Sequence, residues 1–359
     1  MEWLLIISAL FMAFSNGAND NFKGFATVWG SNTLSYRAAL TLATVATVAG
    51  SVAALFLAET LLVQFSGKGL VPDAIASSPA FITSVAFGAA LTVSLATRLG
   101  LPVSTTHALI GGLIGAGLAQ SIGVVHFDEL ISTFLLPLLL SPILAAVLGV
   151  AVYRLFSWRP IKADCACVVQ TMQTPSPGST AVFTKSYTPS KVVLATGADC
   201  DGLETQSRMS VSRGMDKPHI ASALSICFAR GVNDTPKLAA LLVAANILNV
   251  KTSMLTIAAI MALGGVLFAR KVAETMSQRM SHMNHAQGLG ANLITAGLVL
   301  FASKFGMPVS TTHVSVGSIA GVGASANTLN WATLRGVLLS WLATLPLAAL
   351  LAFGAGQIL

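Results

Sequence analysis

Two stretches of this 359-residue chain set an acid and a base three residues apart inside otherwise apolar sequence: Asp20 with Lys23, and Asp234 with Lys237. Residues at that spacing share one face of a helix, so each acid can meet its base. Glycine and asparagine precede each pair, in Gly17-Ala18-Asn19-Asp20 and Gly231-Val232-Asn233-Asp234. A second pattern is a Gly-x-Pro break followed by hydroxyls and an imidazole. It runs from Gly100 to His107 through Pro102, Ser104, Thr105 and Thr106, and again from Gly306 to His313 through Pro308, Ser310, Thr311 and Thr312. Hydroxyls donate hydrogen bonds, ammonium groups supply charge, and an interrupted helix exposes N–H groups at a positive dipole end. Two such half-sites suit a small tetrahedral oxyanion such as phosphate or sulfate. Asp20 or Asp234 can accept a proton from such an anion. His107 and His313 are either proton carriers or hydrogen-bonding partners of the hairpin backbone.

Each pattern taken singly has a plainer explanation. A lone Ser-Thr-Thr in a membrane helix bonds its own backbone, and a lone Asp-x-x-Lys is a structural pair. Duplication in the same order lifts both above that. The match also extends into Gly111-x-x-x-Gly115 and Gly317-x-x-x-Gly321, a spacing that suits close helix contacts. Arg230 has no counterpart, since Asn16 stands in its place.

The elements that must hold these groups are membrane helices. Hydrophobic residues make up 54% of the chain and charged ones 9%, against roughly a quarter charged in a soluble domain. Apolar runs near the required length of about 20 residues recur at 3–30, 36–58, 79–99, 106–124, 130–155, 218–248, 252–269, 287–304, 308–325 and 331–357. This predicts an all-α integral membrane protein with a first repeat over 1–155, a polar loop over 156–217 and a second repeat over 218–359. Five crossings per half is odd, so the second copy enters the bilayer inverted, as in secondary transporters. The Gly-Asn stretches are expected to interrupt two helices, and Pro102 and Pro308 to mark re-entrant hairpins. Residues 271–285 are expected to lie along the membrane surface. Charges at bilayer depth cost at least about 2.5 kcal/mol each, so Asp20, Lys23, Arg230, Asp234 and Lys237 should face one another or a wet cavity.

The net charge of +7 does not point to nucleic acid, because most basic residues sit in short loops beside apolar runs. With the N-terminus outside, only Lys68, Lys251 and Lys304 fall on the outer face. The positive-inside rule then puts both termini outside a cell membrane and the 156–217 loop in the cytoplasm. Cys165, Cys167 and Cys200 lie in that loop without a set that completes a zinc site. Symmetric copies of hydroxyl and imidazole suit a path through the protein better than a one-sided hydrolytic reaction, so no enzyme activity is expected.

The four motifs resemble the inorganic phosphate transporter (PiT) family, which includes sulfate-permease-type relatives, over nearly the whole chain outside 156–217. The resemblance implies an ion-coupled symporter, commonly dimeric, that moves phosphate with sodium or protons and needs no other cofactor. A sulfate or other oxyanion permease is the nearest alternative, and an anion channel a more distant one. Carried over, Asn19, Asp20, Asn233 and Asp234 form the anion and sodium site. Ser104, Thr105, Thr106, Ser310, Thr311 and Thr312 bind substrate oxygens. Two departures stand out. Lys23 and Lys237 replace an asparagine of the family signature, and no acid occupies the region of Thr47. The lysines therefore read as built-in countercharges for the anion, at the expense of a sodium site.

Overall fold

The computed structural model describes residues 1–67, 69–157, 165–169, 191–195 and 205–359. Two compact units are present: Met1–Arg154 with His219–Leu359, and Leu155–Pro218. The larger is helical. Its long helices are α1 (Glu2–Asp20), α2 (Tyr36–Leu57), α3 (Pro79–Arg98), α4 (Thr105–Gln120), α5 (Leu136–Ser157), α6 (Val211–Ala244), α7 (Val250–Phe268), α8 (His285–Lys304), α9 (Thr311–Ser325) and α10 (Trp331–Ile358). Among the described residues, six helical stretches are long and apolar enough to cross a membrane: α2, α3, Phe127–Leu155 around α5, α7, α8 and α10. The chain is a multi-pass membrane protein. Leu139, Ile143, Val147, Leu339 and Leu342 of α5 and α10 are exposed, as lipid-facing residues should be. By contrast α3, α4 and α9 are mostly buried.

Matching local signals end and begin matching helices. Asn32 and Asn246 both take a left-handed backbone, at φ 57° and 56°. Asparagine tolerates that region better than most residues. Three residues later, Ser35 and Asn249 cap α2 and α7 by accepting from Ala38 N and Thr252 N. Gly100 and Gly306, at φ 72° and 68°, turn the chain after α3 and α8, where a side chain would be strained. Ser104 and Ser310 then cap α4 and α9, accepting from His107 N at 3.1 Å and His313 N at 3.3 Å.

Glycine sets the close contacts. A Cβ at Gly17 would overlap the Met261 carbonyl of α7, and one at Gly231 the Thr47 carbonyl of α2. Gly50 and Gly264 return the relationship against Phe228 and Phe14. Likewise Gly111 and Gly115 of α4 abut Leu345 and Ala349 of α10, while Gly317 and Gly321 of α9 abut Pro142 and Ala146 of α5. Small residues let helix backbones approach where lipid gives no hydrophobic drive to associate. Every one of these contacts joins the two halves of the sequence.

One expectation changes here. The first Gly-Asn stretch does precede a break: α1 stops at Asp20 and the chain passes through a turn and a 3₁₀ segment, Lys23–Phe25, before a short helix, Ala26–Gly30. The second does not, because α6 runs unbroken through Gly231 and Asn233. Its glycine serves helix approach, and in a helix so closely packed the backbone keeps its own hydrogen bonds. The stretch 271–285, expected along the membrane surface, opens with residues 271–280. They form helical turns whose Val272, Met276 and Met280 are buried in the protein, since the methionines there carry the apolar face.

In the smaller unit, β1 (Cys165–Val169) pairs antiparallel with both β2 (Lys191–Ala195) and β3 (Thr205–Ser210), in the order β2-β1-β3. Val-rich β1 and β2 favour a pleated conformation. Lys68 and, in the 156–217 loop, residues 158–164, 170–190 and 196–204 with Cys200 lie outside the described residues.

Candidate functional site

The motif residues converge on one buried cluster between the ends of α1, the middle of α6 and the two Pro-containing turns. Lys23 is 4% exposed, Arg230, Asp234 and Lys237 2%, Asp20 1% and Asn233 0%. The charges thus face one another inside the protein, as their cost in lipid requires.

Four oxygens surround the three protons of Lys23 Nζ: Asp20 Oδ1 at 2.5 Å, Thr312 Oγ1 at 2.5 Å, Asn19 Oδ1 at 2.9 Å and the Val103 carbonyl at 3.0 Å. Lys237 Nζ repeats the scheme with the Val309 carbonyl at 2.7 Å, Thr106 Oγ1 at 3.0 Å and Asp234 Oδ1 at 3.9 Å. The Phe65 ring covers it, with its centroid 5.5 Å away. Each lysine therefore reaches from its own half to the threonine of the opposite hairpin. The threonines reciprocate: Thr312 donates to Val103 O at 2.9 Å and Thr106 to Val309 O at 3.3 Å. These bonds bring the N-termini of α4 and α9, the positive ends of two helices, to the same place.

The asparagines are held by residues that the motifs did not single out. Asn19 Nδ2 donates to Thr97 Oγ1 at 2.9 Å and to Leu101 O at 3.0 Å, and its Oδ1 accepts from Val103 N at 3.1 Å. In the other half, Asn233 accepts from Ser303 Oγ at 3.1 Å and donates to Asp234 Oδ1 at 2.9 Å and Val309 O at 3.3 Å. Thr97 and Ser303 each stand three residues before the motif glycine. Reading the repeat back to Ala96-Thr97 and Ala302-Ser303 is the signal that finds them.

Asn16 and Arg230, the unmatched pair, are bonded to each other, Arg230 Nη2 donating to Asn16 Oδ1 at 2.8 Å. Arg230 also reaches Asn21 Oδ1 at 3.2 Å, Thr47 Oγ1 at 3.4 Å and Asp234 Oδ2 at 3.5 Å. Asn16 Nδ2 donates to Thr105 Oγ1 at 3.1 Å and to Asp234 Oδ2 at 3.4 Å. The two aspartates thus differ. Both oxygens of Asp234 have partners, whereas Asp20 Oδ2 is buried with none among the described residues. Ser104 and Ser310 accept cap hydrogen bonds, which leaves each hydroxyl proton to donate. Thr105 and Thr311 are both 5% exposed.

His107 and His313 meet edge to face, with centroids 4.4 Å apart, and Trp341 lies 3.8 Å from the His313 ring. The hairpin carbonyl of Pro102 is taken by Trp341 Nε1 at 3.1 Å. The imidazoles line an apolar cavity of about 580 Å³ with residues of α5 and α10, including Pro142 and Leu338.

The chain is similar to several known proteins. A Pyrococcus furiosus chain whose name assigns it provisionally to the phosphate permeases is 27% identical over 400 residues, covering 97% of this chain and 94% of its own. A "Probable low-affinity inorganic phosphate transporter" of Bacillus subtilis is 27% identical over 361 residues, with the same coverage of 97% and 94%. A solved structure described as "The sodium-dependent phosphate transporter" shares the fold, with a TM-score of 0.77, 22% identity and coverage of 99% of this chain and 98% of that one. The model of the phosphate transporter family matches residues 16–352, a stretch containing every residue of the buried cluster, and the chain belongs to that family of transport proteins.

Proposed function

We propose that this protein is a secondary transporter of inorganic phosphate in the cell membrane, and that the buried cluster is its anion site. The observation that carries this reading is the meeting of two helix N-termini, two ammonium groups and a guanidinium around only two carboxylates. In their charged forms these groups leave one net positive charge in a water-poor interior, which an anion neutralises. The hydroxyls of Ser104, Thr105, Thr106, Ser310, Thr311 and Thr312, with the first N–H groups of α4 and α9, are the donors to its oxygens. Asn19 and Asn233 pin the hairpins to the helices that carry the charges.

Asp20 Oδ2 favours phosphate over sulfate. A buried acceptor without a partner is costly, and a phosphate that keeps a proton supplies the missing O–H. Sulfate has none at neutral pH and would set two acceptors against each other. Inverted topology is part of the proposal, supported by five long helices in each half with matched caps and glycine contacts. So are termini on the outer face, supported by the charge bias of the loops, and a homodimer, carried over from the resemblance. The test is uptake of labelled phosphate by proteoliposomes containing the purified protein. Saturable uptake that excess sulfate does not reduce is expected. Uptake abolished by sulfate would move the assignment to a sulfate permease, and conductance without saturation to a channel.

A further inference from the structure

We infer that the ammonium groups of Lys23 and Lys237 are tethered cations standing where a transported monovalent cation would be held, so that this chain carries its anion without sodium. The inference rests on reading the cluster as the anion site. It concerns what balances the anion there.

The oxygens around Lys23 Nζ are a carboxylate, an amide carbonyl, a backbone carbonyl and a hydroxyl. That is the kind of ligand set a hard cation takes from a protein. An ammonium has three protons and no lone pair, so its partners must be acceptors. They are: Thr312 spends its own proton on Val103 O and is left to accept. Lys237 has the same backbone carbonyl, threonine and carboxylate, with the Phe65 face in place of the asparagine oxygen, and a ring face attracts a cation. Of the sequence's own candidates for sodium, the Asn19 oxygen, one oxygen of Asp20 and both of Asp234 already face a positive charge, and the Asn233 oxygen accepts from Ser303. A sodium ion entering either set would sit against an ammonium in a low-dielectric interior. The residues present do not fit it.

The covalent link has a mechanistic consequence. A sodium ion supplies work because it crosses the membrane with the substrate. An ammonium on α6, or on the turn after α1, stabilises the anion but stays behind. It can bring the two hairpins together, through the crossed Lys23–Thr312 and Lys237–Thr106 bonds, but it cannot draw on a sodium gradient. The solved structure described as a sodium-dependent phosphate transporter would differ from this chain in that respect.

Labelled phosphate uptake into proteoliposomes is measured at constant ionic strength with sodium, potassium or choline as the only added cation, alongside uptake of ²²Na⁺. Rates equal within about twofold across the three salts, with no phosphate-stimulated ²²Na⁺ entry, are expected. A tenfold fall on removing sodium, or ²²Na⁺ entry that rises with phosphate, overturns the inference while leaving the phosphate assignment standing. Absence of saturable phosphate uptake in every salt overturns that assignment, and this inference with it. In Lys23→Asn with Lys237→Asn, sodium-free uptake should fall at least tenfold and sodium should restore part of it. A double variant that transports like the original in choline would show that the ammoniums supply nothing. Because the unaltered protein decides the sodium question, misfolding of the variant does not shield the inference.

Discussion

At the residue scale the two halves are alike in plan but unequal in charge. Arg230 faces Asn16, and that pair fills Oδ2 of Asp234, whose Oδ1 accepts from Asn233, while Asp20 keeps one oxygen open. On the proposed reading of the cluster as the anion site, the open oxygen of Asp20 is the group that senses a protonated substrate. Replacing a carboxylate by an amide of the same shape removes the acceptor and adds a donor. In Asp20→Asn, phosphate uptake should therefore become open to competition by excess sulfate. A site built to hydrogen-bond a substrate hydroxyl rejects the analogue lacking it by orders of magnitude. An inhibition curve for sulfate that is the same in both proteins would show that Asp20 does not read the proton.

At the scale of elements, glycines serve helix approach, at Gly231 in place of the expected break and at Gly17 beside one. At Gly115 and Gly321 a side chain would collide with the Ala349 and Ala146 carbonyls, whereas nothing lies within 4 Å of a Cβ at Gly336. Overpacking a filled contact costs about 1–3 kcal/mol or more, and backbone atoms cannot move aside as a flexible side chain can. Gly115→Leu and Gly321→Leu should each lower the thermal midpoint of the detergent-solubilised protein by several degrees and broaden its size-exclusion peak. Gly336→Ala should do neither. Equal effects at all three positions would mean that the contacts are looser than the backbone geometry indicates.

At the scale of the whole molecule, the halves are interlocked. α1 packs on α7, α6 on α2, α4 on α10 and α9 on α5, each through a glycine that belongs to one half and a carbonyl that belongs to the other. Neither half buries its own small-residue faces, and each lysine takes a threonine of the other half as a partner. Expressed alone, residues 1–180 or 181–359 should be degraded. Co-expressed, they should assemble and transport phosphate, because the break falls outside the helical unit. Stable, monodisperse single halves would show that the cross-half contacts are dispensable.

Sequence alone determined the solvent of this protein, its repeat and the identity of its charged cluster. Each is a local or compositional property: apolar runs of membrane length, two motifs recurring in order, acid and base three residues apart. It also implied that the motif glycines matter, but not why, since a break and a close approach leave the same trace in one dimension. Only the tertiary structure decided that α6 runs on where α1 stops, that Thr97 and Ser303 hold the asparagines, and that Arg230 settles on Asn16 and Asp234. Above all, it decided that Lys23 ends on Thr312, 289 residues away. Periodicity and spacing carry no record of such pairs. They exist because two hairpins and two charged helices, each unable to satisfy its own polar groups in a bilayer, satisfy one another's.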